Sequence, residues 1–164
     1  MSSRRPDLGT GKDVLALVLF VGLCLGIGAL GAAATATSLT TWYPTLTKPS
    51  FNPPNWVFGP VWTTLYVLMA VAAWRVWRIT GLKSVEMLAW GLQLALNFAW
   101  SAIFFALHRI GAALVEILLL DLAILYTMLL FWRRDAIAGA LLLPYLAWTS
   151  FATLLTWRFW QLNG

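Results

Sequence analysis

The residues in this chain that could do chemistry are mostly aromatic and amide, and they recur at helical spacing. In the run QLALNFAWSAIFF, Gln93, Asn97, Trp100 and Phe104 fall on one stripe of a helix, which turns by about 100° per residue. Trp62, Tyr66 and Met69 share a stripe in an earlier segment, and Trp148, Phe151, Ala152 and Leu155 share one in a later segment. Amides at membrane depth need hydrogen-bond partners, and indoles offer flat apolar faces. Convergent indoles with a few amides suit a flat, largely apolar ligand. The same amides would also serve as glue between helices. Residue types alone leave both readings open.

Other chemistries lack their residues. His108 is the only histidine and Cys24 the only cysteine. A zinc site needs several convergent ligands, and a disulfide needs two thiols, so neither a metal site nor an internal disulfide is expected. No Ser-His-Asp set and no phosphate-binding loop is present, which argues against conventional acid-base or nucleophilic catalysis. His108 sits beside Arg109 in a short connection and reads as a solvated loop residue. Glu116 and Asp121 are acids inside an apolar run. Five residues apart on a helix they point about 140° away from each other, so they are no facing pair. Asp121 reads as a hydrogen-bonded structural carboxyl or as a proton or substrate site.

The elements that must carry these residues follow from composition. The chain has 164 residues, 61% hydrophobic and 10% charged, with a mean hydropathy of +0.80. Such a composition belongs to a bilayer. The net charge of +5 does not indicate nucleic-acid binding, because the cations sit at segment ends instead of on one dense face. Membrane lipid is the expected surroundings. Five apolar segments reach the ~20 residues that a ~30 Å hydrocarbon core requires. They predict helices over 14–36, 56–78, 86–107, 111–132 and 136–160 in one membrane domain, 14–164, after an N-terminal tail, 1–13. Pro144 predicts a kink in the fifth, and Asn55 is the expected N-cap of the second. Arg4, Arg5 and Lys12 before the first segment, with Ala34-Thr35-Ala36 in its last part, resemble a signal peptide. The apolar run is too long for that, and it reads as a span.

With five spans the cations divide unequally. Arg4, Arg5, Lys12, Arg75, Arg78, Lys83, Arg133 and Arg134 fall on the N-terminal side, against Lys48, Arg109 and Arg158 on the other. The positive-inside rule then puts the N-terminus in the cytoplasm and the first loop outside, in a cell membrane. That loop, WYPTLTKPSFNPPNW, is stiffened by Pro44, Pro49, Pro53 and Pro54 and rich in aromatic surface. It reads either as a lid over a pocket or as an interfacial anchor. Opposite the amide stripe of the third segment, Gly91, Ala95, Ala99, Ala102 and Ala106 form a stripe of small residues. Such a stripe lets helices approach closely, within the chain or across a two-fold dimer.

WYPTLTKPSFNPPNWVFGPVWTTLY, QLALNFAWSAIFF and LLLPYLAWTSFATLLTW, in this order, resemble the translocator protein family, also called tryptophan-rich sensory proteins or peripheral-type benzodiazepine receptors. The resemblance runs from Trp42 to the C-terminus. It implies an all-α bundle of five transmembrane helices, often a homodimer through the small stripe, with a pocket beneath the first loop. It implies binding of porphyrins such as protoporphyrin IX or haem as ligand, with no cofactor required. The residues matching that pocket are Trp42, Tyr43, Trp62, Asn97, Trp100, Trp148, Ala152 and Leu155, and Tyr66 and Phe151 join them by helical spacing. Light-dependent porphyrin breakdown is reported for some bacterial members, and Trp62 and Trp148 match the tryptophans implicated. Sterol binding is disfavoured. Trp157 stands where the animal pattern has tyrosine, and Gln161 where it has arginine.

The expected function is a membrane receptor or sensor for porphyrins and related flat ligands. A tetrapyrrole transporter and a photochemical porphyrin-degrading activity are the alternatives. Against transport stands the lack of an internal repeat.

Overall fold

The computed structural model describes residues 9–164. Arg4, Arg5 and most of the expected N-terminal tail lie outside the described residues. The described chain is all-α, and five helices are long and apolar enough to cross a membrane. Helix α1 runs Thr10–Thr41, longer at both ends than its apolar core suggests. A short 3-10 turn, Tyr43–Thr45, opens the proline loop. Then come α2 (Asn55–Thr80), α3 (Val85–Ser101), α4 (Ile110–Arg134), α5 (Ala136–Leu141) and α6 (Leu143–Asn163). The last two together make the fifth span, Ala136–Asn163. At ~1.5 Å per residue, α2 alone reaches about 39 Å, enough for the hydrocarbon core.

Local chemistry explains the boundaries. Helix α2 begins at Asn55 after Pro54, and no side chain caps it. Asn55 is therefore its first helical residue instead of its N-cap. Gly81, at φ 77°, ends α2 where an L side chain would be strained. Ser84 caps α3 by accepting from the Met87 N–H. Asp135 caps α5 through the amides of Ile137 and Ala138. The fifth span breaks at Leu142, immediately before Leu143 and Pro144. Proline has no N–H for the preceding turn, which produces the expected kink. Helix α3 ends unexpectedly, in a π turn over Ala102–Ala106.

The helices pack α1 on α2, α3 on α4 and α4 on α6. One core, including Met69, Val76, Ile117, Leu120 and Tyr145, fills the middle of the bundle. A second, with Tyr43, Phe104, Ile110, Leu155 and Phe159, lies under the loop. The two ends differ in chemistry. At the basic end, Asp13 pairs with Arg78, Asp135 with Arg75 and Glu86 with Arg134. The loop end is joined by aromatic contacts and neutral hydrogen bonds.

Candidate functional site

A cavity of about 470 Å³ lies between α1, α2 and α3 beneath the proline loop. Helix α2 supplies Phe58, Trp62 and Tyr66 to its wall, and α3 supplies Asn97 and Trp100. Tyr43 of the loop and Phe105 of the π turn close its upper side. The wall is largely apolar, with one organised polar group. The Tyr66 hydroxyl donates to Asn97 Oδ1 at 2.6 Å, and Asn97 Nδ2 donates to the Tyr145 hydroxyl at 3.1 Å. Three helices thus meet in one short hydrogen-bonded chain, in which Asn97 is fixed in orientation. The buried indole N–H of Trp100 has no hydrogen-bond partner among the described residues.

The first helix builds the remaining wall. Gly28, Gly31, Ala32 and Thr35 face the cavity, with Leu25 and Leu39 continuing the line. Sequence reasoning missed this side, although the four small residues recur at the spacing of one helical face. Their function is spatial. A Cβ at Gly28 would lie 2.6 Å from the Tyr66 ring, so only glycine lets that ring lie against α1.

The other expected site residues fall elsewhere. Trp148 and Phe151 line an open apolar groove between α2 and α6, with Pro60 and Pro144 on its sides. Phe58 stands between the two spaces, meeting Trp148 edge-on at 5.8 Å and lining the cavity itself. Ala152 and Leu155 are buried in the packed cores. Trp42 stacks on His108 at 4.2 Å and meets Phe104 in a T-shaped contact at 5.6 Å. Gln93 is buried and donates to the Met69 sulfur at 3.8 Å. The stripe of Gly91, Ala95 and Ala106 is exposed, Ala99 and Ala102 are half-buried, and a Cβ at Gly91 would meet nothing.

The loop is seated on the bundle. Thr47 exchanges two hydrogen bonds with the Asn163 side chain, at 2.8 and 3.0 Å. Tyr43 donates to Asn52 at 2.9 Å. Burial pushes the Tyr43 phenol above its ordinary range, and the bond to Asn52 opposes this in part. Lys48 lies over the Tyr43 ring, 4.8 Å from its centroid. Of the acids, Asp121 accepts from Thr153 at 2.8 Å, bridging α4 to α6. Both oxygens of buried Glu116 lack a partner among the described residues. No group of three or more histidine, cysteine or acidic residues is placed to hold a metal ion among the described residues.

These features define a five-helix membrane protein with an aromatic cavity under a tethered loop. The TspO/MBR family model matches residues 20–161, and the chain belongs to that family. It is 44% identical to the tryptophan-rich protein TspO of Chlorobaculum tepidum, over 93% of this chain and 98% of that protein. It is 43% identical to the human translocator protein, over 74% of this chain and 75% of that one. The tryptophan-rich sensory protein of Cereibacter sphaeroides is 41% identical, over 84% of this chain and 88% of its own length.

Proposed function

We propose that this protein is a membrane receptor or sensor that binds porphyrins, such as protoporphyrin IX or haem, in the cavity between α1, α2 and α3. The observation that carries this reading is the cavity itself, about 470 Å³ and walled by Trp62, Trp100, Tyr66 and Phe58 around the Tyr66–Asn97 pair. That volume lies within the ~300–1,000 Å³ of ordinary small-molecule sites. The faces of Trp62 and Trp100 offer stacking surface to a flat ring. The free N–H of Trp100 offers a donor to an acceptor on the ligand. The chain's own residues supply binding and orientation, and no cofactor is required. A relative named a sensory protein is consistent with this reading.

In the same reading the N-terminus is cytoplasmic, the loop faces outward from a cell membrane, and a second copy covers the exposed Gly91–Ala95 stripe. The test is a dark titration of purified protein with protoporphyrin IX, following tryptophan quenching and the Soret band. Saturable binding weakened by Trp100→Ala supports the cavity. Non-saturable partitioning, equal in both proteins, overturns the reading. Illumination of the same samples then checks for porphyrin breakdown dependent on Trp62 or Trp148.

A further inference from the structure

The end of α1 and the end of α3 are joined through one side chain. The Ser38 hydroxyl donates to the Phe105 carbonyl at 2.5 Å. The same oxygen lies 3.1 Å from His108 Nε2. A hydroxyl carries a single proton, and here the Phe105 carbonyl takes it. His108 must therefore donate from Nε2 into a lone pair of Ser38, which fixes the tautomer of the ring. The ring also lies flat on Trp42, with centroids 4.2 Å apart and planes 18° from parallel. Ser38 and Trp42 are four residues apart, on one face where α1 ends.

The backbone beneath is specialised for this placement. The π turn carries bonds from Leu107 N to Ala102 O and from Arg109 N to Ile103 O, at 2.9 and 3.1 Å. His108 follows at φ 56°, the only positive-φ residue other than glycine among the described residues. A residue held in that region needs surrounding contacts to keep it there. Ser38 and Trp42 provide them. The consequence reaches the cavity directly. Phe105, which accepts from Ser38, and Tyr43, which follows Trp42, both belong to its upper wall.

We propose that His108 is a positioning residue that latches the exit of α1 against the π turn of α3 and so sets how fast a ligand enters and leaves the cavity. The kinetic half rests on the cavity being the binding site. The latch itself rests only on contacts among Ser38, Trp42, Phe105 and His108.

The experiment uses the full-length protein in nanodiscs. His108→Gly suits the positive φ and so keeps the connection while removing both ring and donor. His108→Phe keeps a ring without the donor, and His108→Gln keeps a donor without the stack. Without ligand, hydrogen exchange of the non-proline amides in residues 43–52 is expected to rise about tenfold in His108→Gly and less in the other two, with α4 unchanged. Exchange there equal to wild type overturns the latch. With protoporphyrin IX, stopped-flow association and dissociation are both expected to accelerate about tenfold in His108→Gly, leaving Kd within about threefold. A weaker Kd with no faster association overturns the kinetic half, because it would make His108 a wall contact. If the wild type shows no saturable porphyrin binding, the proposed function falls, and the exchange arm alone decides the latch.

Discussion

The two ends of the bundle are tied by different forces. At the basic end, charged side chains link α1 to α2, α2 to the α4–α5 junction, and α3 to α4. The Trp74 indole adds a bond to the Asp13 carbonyl at 3.1 Å. At the loop end the ties are stacked rings, neutral hydrogen bonds and the loop's own prolines. Charge-assisted bonds are stronger and more directional than neutral ones. Each ion pair engages two elements at their ends. Aromatic contacts are less directional than ion pairs and tolerate small rotations. The cavity lies toward the loop end, between α1, α2 and α3, with the loop and the π turn on its upper side.

From this contrast, damage at the basic end is expected to cost stability, and damage at the loop end to alter binding or exchange. The largest effect is expected for Asp135→Ala. Asp135 both receives Arg75 at 2.7 Å and caps α5 through Oδ1. Losing cap and ion pair together should lower stability by about 2 kcal/mol, seen in chemical unfolding in micelles. Porphyrin affinity of the folded fraction should stay unchanged. A matching loss of affinity would break the separation between the ends.

Next in size is Asn97→Leu, which leaves the Tyr66 hydroxyl without its acceptor in the cavity wall. An unpaired buried hydroxyl costs about 1–3 kcal/mol, and binding of protoporphyrin IX should weaken by roughly tenfold or more. Fluorescence titration measures it, and unchanged affinity would remove the polar pair from the site.

A smaller effect is expected at Trp148 than at Trp62. Trp62 lines the cavity, whereas Trp148 lies outside its lining and meets Phe58, which lines it. Trp62→Phe should weaken porphyrin binding about tenfold and Trp148→Phe about threefold. The reverse order would place the ligand in the α2–α6 groove. The smallest effect on stability belongs to Asn163→Ala, which frees the loop from the end of α6. Unfolding free energy should change by about 1 kcal/mol or less, while exchange of the Thr47 amide should rise severalfold. A large loss of stability there would erase the contrast between the two ends.

The spans were legible because bilayer thickness and backbone satisfaction act on each segment separately, and the apolar runs are long enough to meet both. The amide stripe was legible for the same local reason. Gln93, Asn97, Trp100 and Phe104 share a face whatever lies opposite, and three of the four are buried while Trp100 lines the cavity. Pro144 announced its kink because a missing N–H acts on its own turn. The small face of α1 was equally readable, since Gly28, Gly31, Ala32 and Thr35 follow helical spacing, but small residues carry no chemistry that draws attention.

Other features depended on distances that no local pattern encodes. Ser38 and His108 are 70 positions apart, and His108, exposed as its short connection suggests, also stacks its ring on Trp42 and bonds Ser38. Trp148, Phe151, Ala152 and Leu155 share a helical face, yet tertiary packing puts the first two on a groove wall and buries the last two in the cores. The sequence by itself determined the five spans, the stiff loop and the faces of individual helices, because those follow from hydrophobic length, proline geometry and periodicity. Only the tertiary structure decided which faces meet around the cavity, because rotation, kink and the π turn are set jointly by all the helices that pack together.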